Sequence, residues 1–245
     1  MTKREAARGE ETDDSAKELR DKKRVLAALV VHDLRTPLSA AQGCLDLLRD
    51  ELGADASKQA QQYVDDAKVL VNKALSLVAT ILDVDELEDG ILHAELQTVD
   101  LMELIERAKT ANRAHLEVRQ LRLDVDLAAG GEARLDPDLF GRVLENLLDN
   151  ATRYTPRGGR CVISARREGD TFEIEIGNSG PPVPAAEREA IFGRYFQIER
   201  RRASARANRG LGLYFCKLAV EAHGGTIHVE ERGDLGAVFV VRLPA

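Results

Sequence analysis

The sequence predicts an α+β protein in two parts, a helical hairpin followed by a two-layer sandwich of helices on a mostly antiparallel sheet. Three observations carry this. Between positions 34 and 84 apolar residues recur in alternating steps of three and four, the spacing of one helix face. From about position 121 the pattern changes to runs with an apolar residue at every second place, the spacing of a strand, interrupted by further helical stretches. The pairs Gly169-Asp170 and Gly233-Asp234 fall between successive alternating runs, where tight hairpin turns belong.

Residues 1–24 carry a charge at nearly every second place, with both signs mixed. Such a stretch is a solvated helix laced with ion pairs or a frayed tail, and it is too short to form a sensor domain. The first amphipathic helix then carries Leu34, Leu38, Ala41, Leu45, Leu48 and Leu52 on one face. A second carries Tyr63, Ala67, Leu70, Ala74, Leu77, Ile81 and Val84, with a turn over 53–57 between them and Gly90 closing the second helix. Both faces have the rhythm of a coiled-coil seam. A hairpin of two such helices leaves one face with nothing to pack on, and dimerisation into a four-helix bundle is the usual remedy. A hairpin domain over 25–92 and a second domain over 93–245 are therefore expected. In the second domain, 101–118 reads as helix, Leu121, Leu123, Val125 and Leu127 as a strand, and 139–154 as helix. Cys161, Ile163 and Ala165, then Phe172, Ile174 and Ile176, read as a strand pair, and 226–231 with 237–243 as another. Helices mixed with mostly antiparallel strands stack in two layers.

Composition narrows the function. The net charge is −7, from 35 Lys plus Arg against 42 Asp plus Glu, and an acidic chain is a poor general nucleic-acid binder. Aromatic residues make up 4% with no Trp, too few for a base-stacking platform. No apolar run approaches the ~20 residues of a membrane helix, and residues 1–10 are polar, so neither a membrane segment nor a signal peptide is expected. Cys44, Cys161 and Cys216 are odd in number and far apart; they read as reduced thiols of a cytoplasmic protein.

Four clusters carry chemistry. His32 is followed by Asp33, Thr36 and Pro37. A lone helical His is ordinarily a surface or core residue, but here Asp33 could accept its proton, Thr36 lies one turn on, and Pro37 removes a helical hydrogen bond and suggests a hinge. Histidine is largely neutral at cytoplasmic pH and can attack phosphorus. Asn146 and Asn150 share one helix face, with Arg153 and Tyr154 just beyond. Carboxamide oxygens suit a Mg²⁺ already held by phosphates, Arg153 suits a phosphate and Tyr154 a flat base; the alternative is a capping or surface amide pair. Asn178-Ser179-Gly180-Pro181-Pro182-Val183-Pro184 follows a strand, and Asn178 could read a base edge; the alternative is a proline-rich loop that just turns the chain. Arg209-Gly210-Leu211-Gly212-Leu213 opens an apolar helix, and close glycines at a helix start let backbone amides approach phosphate. The basic loop 197–208 before it, with Arg200, Arg201, Arg202 and Arg206, reads as a lid or as a solvated surface loop. His93, His115, His223 and His228 lack metal-ligand spacing and read as structural.

In this order the clusters resemble those of the two-component sensor histidine kinases over nearly the whole chain. The His32 stretch resembles the phosphoacceptor box, 146–155 the asparagine box, 178–184 and Gly210–Leu213 the two glycine boxes, and Ile191-Phe192-Gly193-Arg194-Tyr195-Phe196 the phenylalanine box. The resemblance implies a dimerisation and phosphotransfer hairpin, then an ATP-binding domain of the Bergerat fold shared with gyrases. It implies His32 as phosphoacceptor with Asp33 as acid/base partner, Asn150 on Mg²⁺, Asn146 and Arg153 on phosphates, Tyr154 on adenine, Asn178 and Gly180 at the base, and Gly210, Leu211, Gly212 and Leu213 beside the lid. The chain departs from the family pattern at three places: Asn178 stands where Asp is common, Pro182 where a glycine is, and Asn208 at the first glycine of the usual triple. The implied activity is ATP-dependent autophosphorylation of His32 in a homodimer and transfer to an Asp of a response regulator receiver domain. Thr36 is a candidate for the reverse, phosphatase reaction, or else bonds a carbonyl freed by Pro37. Input is expected from another protein or a missing region. The alternative is a non-catalytic scaffold that binds the regulator but holds nucleotide too weakly.

Overall fold

The structure, a computed structural model, describes residues 31, 33–52, 57–128, 131–194, 196 and 211–245. The charged segment 1–24, His32, the turn over 53–56, the loop 197–208 and Gly210 lie outside the described residues. The chain divides into two units, Met1–Asp85 and Glu86–Ala245.

In the first unit, helix α1 (33–52) runs through Pro37 without interruption, and α2 spans Lys58–Glu88. Lys68 pairs with Asp46 at 2.5 Å and Arg49 with Asp65. Three residues back along α1 thus match three forward along α2, so the helices are antiparallel. Leu38, Ala41, Leu45 and Leu52 of α1 are half-buried. On α2 the expected seam is met in part: Val84 is buried and Ala67, Ala74, Leu77 and Ile81 are half-buried, but Tyr63 and Leu70 are 64% and 67% exposed, and Val64 and Val78 of the neighbouring row are buried. A long helix with two apolar rows shares its buried side between them, and near its start Val64 takes the inner place.

The second unit is built on a five-stranded sheet of order β2-β4-β5-β7-β6, from β2 (Arg122–Leu127), β4 (Arg160–Glu168), β5 (Thr171–Asn178), β6 (Thr226–Arg232) and β7 (Leu235–Pro244). Only β2 and β4 are parallel. A two-stranded sheet of β1 (Gln97–Asp100) and β3 (Glu132–Leu135), absent from the sequence reading, stands apart. The expected single helix over 101–118 is two, α3 (Leu101–Ala111) and α4 (Arg113–Val118). Asn112 makes the break: it is buried, and both its backbone N–H and its side-chain Nδ2 donate to the Ala108 carbonyl. An Asn that bonds back to its own helix in this way competes with the ladder and ends it.

Helix α5 (Pro137–Tyr154) begins where Asp136 accepts the N–H groups of Asp138 and Leu139, with Pro137 in the first turn. Its apolar stripe, including Phe140, Val143, Leu144, Leu147 and Leu148, is fully buried. Arg119 closes its far end by donating to the carbonyls of Thr152 and Arg153. The last helix, α6 (Gly212–Ala222), lies beside α5. The stripe packs over the sheet face on which Ile163, Ile176 and Phe239 stand opposite one another in adjacent strands. The other face carries charge. Glu173 accepts from Arg242 at 2.6 Å and from Arg166, and Arg232 donates to Glu175 at 2.6 Å. Burial works to raise the Glu173 carboxyl, but its hydrogen bond to Arg242 and the charges of Arg166 and Arg242 hold it below the usual carboxylate range.

Candidate functional site

The antiparallel helices α5 and α6 are pinned together at one end, and the cavity lies at the other. At the pinned end the His223 ring accepts the Asp136 N–H through Nε2 at 3.0 Å and donates from Nδ1 to the Ala219 carbonyl at 2.7 Å; Phe140 meets its edge at 5.8 Å. Midway, the Arg142 guanidinium lies 4.4 Å over the Phe215 ring. At the other end the cavity, of about 290 Å³, is lined by Asn150 and Tyr154 of α5, Leu213 of α6, Asn178 of β5, and Ala237 and Phe239 of β7. The loop after β5 closes one side with Pro181, Pro182, Val183 and Pro184, and Glu187, Ile191 and Phe196 follow.

Strand alternation puts Asn178 there. Ile174 and Ile176 face the helices, so Asn178, two residues on, faces the same way at the strand's end. It is 2% exposed, and its Nδ2 has no hydrogen-bond partner among the described residues. Two glycines let the following loop fold back over it. A Cβ on Gly180 would sit 2.4 Å from the Tyr154 carbonyl oxygen and 2.5 Å from Asn178 Nδ2, and one on Gly236 would sit 2.0 Å from the Gly180 carbonyl oxygen. Ser179 ties the loop to β4 through bonds of 2.9 Å in both directions with the backbone of Arg160. Phe192 is anchored edge-on against Phe239 at 6.2 Å.

The cavity thus brings together Asn150, Tyr154, Asn178 and Leu213 of the expected set. Asn146 stands off the wall: its Nδ2 donates to the Arg142 carbonyl at 2.9 Å, and its Oδ1 would lie 2.8 Å from a Cβ on Gly212. Gly212 is needed for that approach. Arg153 also stands off the wall and bonds to Asp149, four residues back on the same helix. Leu211 is buried and its carbonyl accepts the Phe215 N–H at 2.8 Å. Asp33 and Thr36 are exposed on α1. Ala237 and Phe239 were missed because only the pairing of β7 with β5 sets Ala237 opposite Asn178 and Phe239 opposite Ile176.

Beside the cavity, Tyr214 donates to Glu88, which also accepts from Arg194 at 2.6 Å. Burial, with the hydrogen bond to Glu88 and its charge, pushes the Tyr214 hydroxyl up to about 12. Burial also raises the thiols of Cys216 and Cys161, which makes them poor nucleophiles at neutral pH. Among the described residues no three His, Cys, Asp or Glu converge on a metal-sized site, and no helix is long and apolar enough to cross a membrane.

Residues 135–245 match the family of histidine kinase-, DNA gyrase B- and HSP90-like ATPases, and residues 22–90 match the His Kinase A phospho-acceptor domain. The chain belongs to the two-component sensor histidine kinases. A relative in this family, the alginate biosynthesis sensor protein KinB of Pseudomonas aeruginosa, is 31% identical over 87% of this chain and 35% of its own length. The chain therefore spans about a third of KinB. The catalytic domain of histidine kinase ThkA superposes with a TM-score of 0.54 at 26% identity, over 61% of this chain and 95% of that one. Full-length ShkA, solved with AMPPNP, shares the fold with a TM-score of 0.67 at 22% identity, over 89% of this chain and 45% of that one.

Proposed function

We propose that this chain is an ATP-dependent protein-histidine kinase, with 25–92 as the dimerisation and phosphotransfer hairpin and 93–245 as the catalytic domain. The observation that carries the reading is the cavity lined together by Asn150, Tyr154 and a buried Asn178 whose Nδ2 has no partner among the described residues. Apolar walls with one orphaned polar group suit a flat heteroaromatic base. Asn150 would offer a neutral, hard carboxamide oxygen to a Mg²⁺ carried in by the phosphates. Asn146 and Arg153, with the glycine-bordered start of α6, supply the remaining phosphate contacts.

In this reading a lone-pair nitrogen of neutral His32 attacks the γ-phosphorus, and the bond to the β–γ bridging oxygen breaks to release ADP. Asp33 takes the proton that the phosphorylated ring sheds. The phosphoryl group then passes to an Asp of a response regulator receiver domain. The protein acts as a homodimer, and its exposed Leu34, Leu48, Tyr63 and Leu70 support that by offering a second bundle seam. Unpaired Cys161 and Cys216 suit a cytoplasmic setting. Thr36, one turn from His32, holds the water that hydrolyses the regulator's phospho-aspartate.

Incubation of the full chain with labelled Mg-ATP tests this. Acid-labile, base-stable label is expected on His32 and none in His32→Gln; label persisting in that variant overturns the assignment, and no label together with no nucleotide binding leaves the scaffold reading. In the same preparation Thr36→Ala should keep labelling within roughly threefold and slow regulator dephosphorylation about tenfold or more. Equal losses of both activities would make the side chain structural.

A further inference from the structure

We propose that Asn178 makes the base pocket permissive for 6-oxo purines, so that this site takes GTP and inosine triphosphate as well as ATP. The inference rests on the nucleotide reading above and adds the class of base the site accepts.

A buried amide donor without a partner is unfavourable until something accepts its hydrogen. Asn178 is in that position: it is 2% exposed, and its Nδ2 is unbonded among the described residues. The loop is shaped around it, because Gly180 leaves no room for a Cβ between Nδ2 and the Tyr154 carbonyl. The residue opposite it in β7 is Ala237, and Phe239 follows on the same face; neither has a polar side-chain group to choose between bases. Of the strand residues that line the cavity, Asn178 alone brings a polar side chain to that choice.

A carboxamide carries a donor and an acceptor side by side. Adenine presents a donor at its 6-amine and an acceptor at N1. A 6-oxo purine presents the reverse, an acceptor at O6 and a donor at N1. Turning the Asn178 amide over about its Cβ–Cγ bond exchanges its two groups, so one side chain matches either edge. Among the described residues no bond to Nδ2 locks it in one orientation. A carboxylate at the same place only accepts: it would welcome the adenine amine and repel O6 of guanine or hypoxanthine. The hydrogen-bond logic is the one by which Asn reads base edges elsewhere.

Displacement of a ribose-labelled fluorescent ATP from the full chain, in Mg²⁺, provides the test. Inosine triphosphate, and GTP with it, should compete within about tenfold of ATP, since each can form the same two-bond pairing. Asn178→Asp should shift the ratio of affinities toward ATP and away from both 6-oxo nucleotides by about tenfold or more, the discrimination one such pairing supplies. A preference for ATP beyond about a hundredfold in the native chain, or a ratio unmoved by Asn178→Asp, overturns the inference while leaving the ATP site intact. Failure of ATP itself to displace the probe overturns the nucleotide reading on which it stands.

Discussion

The two units treat their apolar residues in opposite ways. In Glu86–Ala245 the large side chains go inside: Phe140, Leu147, Ile163, Ile174, Phe215 and Phe239 are at most 1% exposed. In Met1–Asp85 the hairpin leaves Leu34, Leu47, Leu48, Tyr63, Val69 and Leu70 between 44% and 68% exposed. The sheet unit closes its core with its own strands and helices. Two helices cannot, because each presents a cylinder to a single neighbour. The described helices of the hairpin leave an apolar face uncovered, and on the reading proposed above a second copy of the hairpin covers it.

Three changes would break or sharpen that contrast. Leu147→Ala in the middle of α5 removes a fully buried side chain. It should destabilise the sheet unit by about 2–5 kcal/mol, read from the denaturant midpoint; a smaller loss would mean the core is less closed than it looks. Leu70→Lys on the hairpin should leave that midpoint unchanged but loosen the dimer by about tenfold or more, as expected when a charge must be desolvated at an apolar seam. Sedimentation at falling concentration reads it, and an unaltered dimer would place the seam elsewhere.

The smallest effect concerns the outer face of the sheet. Glu173 has its folded pKa below the reference value of 4.5, so the native state binds fewer protons than the unfolded chain. Its contribution to stability is present above pH 4.5 and is lost as pH falls through the depressed value. Glu173→Gln should therefore be less stable than the native chain at pH 7, and the gap should narrow on acidification below pH 4.5. A gap that stays constant with pH would show that the arginines around Glu173 act by packing alone.

What could be read from the sequence follows the range of the forces involved. Local periodicity was enough for α5, for the β4–β5 and β6–β7 hairpins, and for the elements that carry Asn150, Tyr154, Asn178 and Leu213. It failed where a long-range choice decides. Gln97–Asp100, three polar residues and a valine, becomes a strand only because β3 arrives beside it. Asn112 breaks a helix by turning its side chain back on Ala108. The row of α2 that faces α1 had two apolar candidates, and the sequence does not rank them. Ala237 and Phe239 enter the site through strand register, which no spacing along the chain encodes.

The imidazole of His223 has a mechanical consequence. It fastens the first residues of α5 to the last turn of α6, so the two helices behave as tongs with their pivot at that ring. Parting them widens the gap between Asn150 and Leu213 most and the contact between Phe140 and His223 least. At the other end Gly212 comes closest to α5 at the Asn146 carboxamide, and a side chain at position 212 would have to push that carboxamide aside while the pivot stayed shut.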